Sequence, residues 1–156
     1  MKEWCIFCAI AQWKFDSTAV IRESDTHIAF LWIFPNTEWM SVVIPKEHLS
    51  SDCLNLTDTQ LTELVLAAKQ AAKKLENAYE DVWRVGLIME WTGVDHAHMK
   101  LYPMHHTRSL QNWSREKMER NEKKWFEIYE WYMTSLEGKR VDDEALKKLA
   151  ERISSS

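Results

Sequence analysis

The stretch GVDHAHMKLYPMH, residues 93–105, sets two histidines one residue apart and places a lysine at the next step of the same spacing. Side chains of an extended strand alternate between its faces, so His96, His98 and Lys100 share one side while Ala97, Met99 and Leu101 share the other. Such a row brings a metal ligand, a nucleophile and a phosphate-binding cation close together. The same pattern also describes a half-exposed antiparallel strand whose polar face carries two surface histidines and a lysine. The choice between the two rests on the remainder of the chain.

With 156 residues, 46% hydrophobic and 28% charged, the chain suits one soluble globular domain with a sizeable core. A formal charge of −4 and the lack of a long basic stretch argue against binding to duplex nucleic acid. No run reaches the eighteen or so apolar residues of a membrane span, and residues 1–30 show no secretory h-region, so the expectation is a cytoplasmic protein without a membrane partner. There are 3 glycines, well under the usual ~7%, and 9 tryptophans.

Alternating residues 19–24 and 27–33 read as a hairpin, residues 41–45 as a third strand ended by Pro45. Thr57 opens a capping-box pattern with Gln60, followed at helical spacing by Leu61, Leu64, Val65, Ala68, Ala71, Ala72 and Leu75. Residues 83–90 and 96–103 read as two more strands joined by a turn around Thr92 and Gly93. Five strands with one long helix after the third predict an α+β fold, the helix packed on a mostly antiparallel sheet. From Ser114 to about Leu136 the spacing of Met118, Trp125, Ile128, Tyr129 and Tyr132 predicts a further helix, and Asp142 caps a short last one. The expected division is a domain over residues 1–107 and a helical extension, packed on it, over 108–156.

Cys5 and Cys8 form a CxxC. In a chain without a secretory signal this favours metal or redox chemistry over a disulfide framework, while Cys53 reads as a buried small hydrophobe. A CxxC turn supplies two thiolates to a tetrahedral zinc, and two of His27, His48, His96, His98, His105 and His106 would have to complete it. His48 lies just past a strand end, and His96 at the start of its strand can reach the same place.

Taken in order, CIFCAI at 5–10, HIAFLWIFPNTEWMSVVIPKEH at 27–48, the helix at 57–79 and DHAHMKLYPM at 95–104 resemble the histidine triad (HIT) superfamily of nucleotide hydrolases and transferases, over residues 3–107. The resemblance implies a HIT-like antiparallel sheet with one long helix, homodimers, and purine mononucleotides or dinucleoside polyphosphates as substrates. It implies a structural zinc held by Cys5, Cys8, His48 and His96. It also implies that His98 is the nucleophile, attacking the α-phosphorus to give a covalent nucleotidyl-imidazole. Lys100 departs from the usual third histidine; as a catalytic group it keeps the phosphate contact, but as a mobile point charge in place of an imidazole. Asn36 is a candidate polar contact near the sugar.

Trp32 stands where the family usually has the aspartate that binds the ribose hydroxyls, and an indole is a donor only. Trp39 and Trp91 stand where glycine is typical, and Trp13 and Trp131 where small or turn-forming residues are expected; Trp83 and Trp125 read as core. Large aromatics in place of small residues around one site predict a redesigned HIT scaffold whose pocket rim, with substrate-side residues Trp32, Trp39 and Trp91, is an aromatic surface. Two functions follow. One is the inherited nucleotide chemistry; the other is a binding module for a designed protein or apolar-ligand partner, with little turnover.

Overall fold

The computed structural model describes residues 5–14, 19–35, 37–90 and 93–105. The chain divides into two units, Met1–Trp113 and Ser114–Ser156, and every described residue belongs to the first. The expected C-terminal helices, and with them Trp125 and Trp131, lie outside the described residues, as do Asn36 and Trp91.

The elements are α1 (Ile6–Ala11), β1 (Val20–Glu23), β2 (His27–Leu31), β3 (Ser41–Pro45), α2 (Asp58–Ala78), β4 (Val85–Met89) and β5 (Met99–Pro103). All strand pairs are antiparallel, in the order β1-β2-β3-β5-β4. This is the α+β, HIT-like arrangement expected from the sequence. Ser24 shapes the β1–β2 turn: its hydroxyl donates to the His27 carbonyl at 3.2 Å and accepts from the His27 amide at 3.0 Å. Thr57 starts α2 through a complete capping box, its hydroxyl accepting from the Gln60 amide at 3.3 Å while the Gln60 side chain accepts from the Thr57 amide at 3.1 Å.

Two apolar clusters cover the two sides of the sheet. Leu64, Ala67, Ala68, Ala71, Ala72 and Leu75 of α2 pack on Ala29, Val43, Met99 and Leu101. On the opposite side Phe7 and Ile10 of α1 pack on Ile28, Phe30, Val42 and Ile44. Small alanines along α2 let the helix lie close against the sheet. Val65, placed in the apolar stripe by its spacing, is 41% exposed, because the buried stripe runs through Ala67 and turns Val65 one residue step, about 100°, away from the sheet.

Three further expectations need correction. The strand expected to begin at residue 96 begins at Met99, because the Ala97 amide leaves the sheet to donate to the Leu49 carbonyl at 2.9 Å. Trp83, expected in the core, is 46% exposed, with the Arg84 guanidinium 4.0 Å from its ring centroid. It is a surface cation–π partner, ahead of a strand that starts only at Val85. The alternative of a half-exposed strand with two surface histidines also fails: His96 and His98 are 0% and 1% exposed.

Trp13 occupies a distinctive position. After α1, the Trp13 amide donates to the Ile10 carbonyl at 2.9 Å and the Lys14 amide to the Ala9 carbonyl at 3.0 Å, the paired bonds of a Schellman cap. Its φ is 56°, the left-handed conformation such a cap demands and glycine normally fills. Trp39, with φ 58°, is the other described non-glycine residue in this region.

Candidate functional site

The CxxC turn is built by α1 itself. Cys5 is the N-cap of the helix, and its Sγ accepts from the Cys8 amide at 3.5 Å. That geometry turns both thiols toward the segment after β3, which carries His48, and the segment before β5, which carries His96. The four ligand atoms of Cys5, Cys8, His48 and His96 all lie within 4.8 Å of one another. Cys8 Sγ is 3.3 Å from His48 Nδ1 and 3.5 Å from His96 Nδ1, and Cys5 Sγ is 3.4 Å from His96 Nδ1. Tetrahedral coordination with metal–sulfur and metal–nitrogen bonds near 2.3 and 2.0 Å requires sulfur–nitrogen separations of about 3.5 Å. The cluster can therefore hold a metal ion.

The protonation of His96 suits this role. Its Nε2 lies 2.9 Å from the Pro45 carbonyl, which can only accept, so Nε2 carries the proton and Nδ1 presents its lone pair to the thiols. Burial pushes its pKa down to about 4, outweighing the upward pull of the Pro45 hydrogen bond. The ring is thus neutral at pH 7.

His98 follows the same logic in mirror image. Its Nδ1 lies 2.7 Å from the His96 carbonyl, so Nδ1–H donates and the lone pair sits on Nε2. Burial lowers the His98 pKa, again against the pull of a backbone hydrogen bond. A neutral imidazole with a fixed tautomer and an unprotonated Nε2 is a competent nucleophile. Phe7, inside the CxxC, lies edge-on to both imidazoles, its ring centroid 5.3 Å from that of His98 and 5.9 Å from that of His96.

Alternation carries Lys100 onto the face of His98: Ala97, Met99 and Leu101 all enter the cluster around α2, and Lys100 pairs with Val42 of the opposite cluster. Its ammonium contacts the Glu90 carboxylate, with the two side chains 23% and 17% exposed. Burial lowers the Lys100 pKa. Nothing local in the sequence points to Glu90. Its link to Lys100 becomes visible only through the β4–β5 register, which pairs Ile88 with Lys100. Phe7 is absent from the residues expected at the site, although its place between the two cysteines is a usable signal.

The described tryptophans fall in different surroundings. Trp32 packs edge-on against Phe7 at 6.1 Å and Phe34 at 6.2 Å, beside the cluster that borders His98. Trp39, 42% exposed, packs edge-on against Tyr79, just past the end of α2, at 4.5 Å. Beside them Ile33 and Phe34 are 74% and 75% exposed.

Comparison with known proteins places these features in context. The profile described as HIT domain matches residues 15–106. Adenosine 5'-monophosphoramidase HNT1 of Saccharomyces cerevisiae is 33% identical over 106 residues, 67% of this chain, and the match spans 65% of that relative, less than two thirds of its length. Among solved structures, SMU.412c from Streptococcus mutans is similar with a TM-score of 0.67 at 26% identity, over 99% of this chain and 85% of that one. A HIT family hydrolase from Clostridium thermocellum shares the fold with a TM-score of 0.57 at 24% identity, over 66% of this chain and 92% of that one.

Proposed function

The chain belongs to the HIT domain family, and on that premise we propose that it is a nucleotide hydrolase or nucleotidyl transferase working at the α-phosphate through a covalent nucleotidyl-histidine on His98. The observation that carries this is the tautomer of His98, whose Nδ1–H is held by the His96 carbonyl at 2.7 Å, leaving Nε2 as the attacking atom. A 33% identical relative named as an adenosine 5'-monophosphoramidase makes purine mononucleotides with an amide leaving group the first substrates to consider, with dinucleoside polyphosphates second.

His98 Nε2 forms a bond to the α-phosphorus, the leaving group departs, and water or another acceptor resolves the phosphorus–nitrogen bond. Lys100 faces the charge that builds on the phosphoryl group. Cys5, Cys8, His48 and His96 would hold zinc, a closed set of four protein ligands that makes the ion structural and pins the segment leading to His98. Asn36 and Trp91 are proposed to flank the bound nucleoside.

The test is rapid quenching with an adenosine 5'-phosphoramidate of a fluorogenic amine. Wild type is expected to show turnover and a chain heavier by one adenylyl group. His98→Ala is expected to show neither, with metal content unchanged. Equal turnover in the two proteins sinks the proposal.

A second reading is favoured by one observation: Ile33, Phe34 and Trp39, all in the segment between β2 and β3, are exposed apolar side chains. In this reading the scaffold is redesigned and the aromatic surface recognises a protein or an apolar ligand. Loss of a partner on Trp39→Ala, with no loss on His98→Ala, supports it; truncating a hot-spot tryptophan should weaken binding by at least ~2 kcal/mol. Unchanged affinity of Trp39→Ala removes it.

A further inference from the structure

We infer that Glu90 positions Lys100 as the proton donor to the leaving group, so that a lysine–glutamate pair does the work a third imidazole would otherwise do. This rests on the proposed reaction at His98.

The placement begins with strand register. Ile88 pairs with Lys100 and Met89 with Met99, where the ladder ends, and Glu90 and His98 are the residues that follow and precede it on the two strands. Residues 88 and 90 share a face, and that face also carries His98 and Lys100. The Glu90 carboxylate meets the Lys100 ammonium there, and both side chains are mostly covered. The strand neighbours of Lys100 are Val42 and Ile88, both apolar. A lysine is a poor choice for such a surface unless it is paired, and its long stem needs an anchor if the ammonium is to stay in one place. Glu90 supplies both. The arrangement has the logic of a nucleophile, a proton carrier and a carboxylate that orients the carrier.

In the first step His98 Nε2 bonds to phosphorus, and the bond to the leaving nitrogen or oxygen breaks with its electron pair remaining on that atom. A proton passes to that atom from Lys100 Nζ, which becomes a neutral amine. In the second step water bonds to phosphorus, its proton goes to the Lys100 amine, and the electron pair of the phosphorus–nitrogen bond returns to Nε2. Glu90 holds the ammonium in line and stays ionised throughout. Lys100 and Glu90 together are neutral, so this side of the site offers no surplus positive charge to a polyphosphate. The leaving-group class it suits is a basic amine or alcohol that must be protonated to depart.

The experiment compares wild type, Glu90→Gln, Glu90→Asp and His98→Ala on two AMP derivatives, an alkylamide and a p-nitrophenyl ester whose leaving group needs no proton. Glu90→Gln is expected to lower kcat on the alkylamide by about 10²-fold, within the range for a lost general acid. Turnover of the ester should stay within about threefold of wild type, and KM for the alkylamide should be unchanged or lower because a carboxylate beside the phosphate has gone. Glu90→Asp, keeping the charge, should recover part of the alkylamide rate. If Glu90→Gln does not fold, Lys100→Met is expected to slow both substrates through the lost phosphate contact and to slow the alkylamide by about 10²-fold more than the ester. Equal loss on both substrates, or none on the alkylamide, overturns the role of Glu90, and the reaction at His98 still stands provided His98→Ala is inactive. Wild-type turnover of neither substrate, or turnover unaffected by His98→Ala, overturns both.

Discussion

Trp39 should reverse the usual ranking of glycine and alanine. At an ordinary backbone position, replacing a residue by glycine leaves a protein less stable than replacing it by alanine, by roughly 0.5–1 kcal/mol. Trp39 has φ 58°, where any side chain with a Cβ is held at a penalty of roughly 1–2 kcal/mol. Trp39→Gly and Trp39→Ala lose the same contact, the edge-on packing on Tyr79 at 4.5 Å. That loss, whatever its size for an indole already 42% exposed, cancels between them. What remains is the backbone, and Trp39→Gly should be the more stable of the two by about 1 kcal/mol. Urea unfolding reads this as a higher midpoint at unchanged m, and thermal unfolding as a gap of about 2–4 °C for a chain of this size. Trp13, at φ 56° in its helix cap, provides an independent repeat of the comparison. If the alanine variant equals or exceeds the glycine variant at both positions, left-handed strain is not what these tryptophans carry.

Three other outcomes are expected. His96 goes from a pKa near 6.5 when unfolded to about 4 when folded, so between those values the unfolded chain binds more protons and stability drops as the pH is lowered. For metal-free protein this amounts to up to ~3 kcal/mol lost between pH 6.5 and 4, with the lowered values of His27 and His98 acting in the same direction; urea midpoints across that range check it, and a flat profile contradicts it. Protein prepared with zinc should carry one ion per chain by elemental analysis, and Cys8→Ser should lose it together with several °C of melting temperature, because the cluster ties α1 to the segments after β3 and before β5. Thr57→Ala should lower unfolding stability by about 1 kcal/mol through the lost capping box; a change below a few tenths would show that α2 is held by packing alone.

Patterns that are local along the chain are legible in the sequence alone. The α2 capping box, the β1–β2 hairpin and the alternating parity of 96–101 can all be read there because each depends on residues a few positions apart. Strand ends point to His48 and His96 among the six histidines, and the family resemblance is what turns that pointer into a choice. Cross-strand features are invisible in sequence: Glu90 reaches Lys100 only once β4 and β5 are in register. Val65 and Trp83 depart from expectation because periodicity gives the stripe of a helix or strand but not how far round or how far out burial extends. The unusual tryptophans stand out as substitutions for small residues, yet the left-handed backbone that makes Trp13 and Trp39 costly is a property of φ that composition does not display.

The even and odd residues of 96–101 answer to different masters, the odd ones to the α2 interface and the even ones to the imidazoles, the ammonium and their partners. A single deleted or inserted residue in this stretch would exchange the two sets at once, sending histidines toward the alanines of α2 and apolar side chains toward the metal-ligand cluster and Glu90. The segment should therefore accept exchange of one apolar residue for another at odd positions while refusing any change of length. In a random mutagenesis library, frame-preserving indels should be depleted between residues 94 and 102 far more sharply than substitutions at Ala97, Met99 or Leu101.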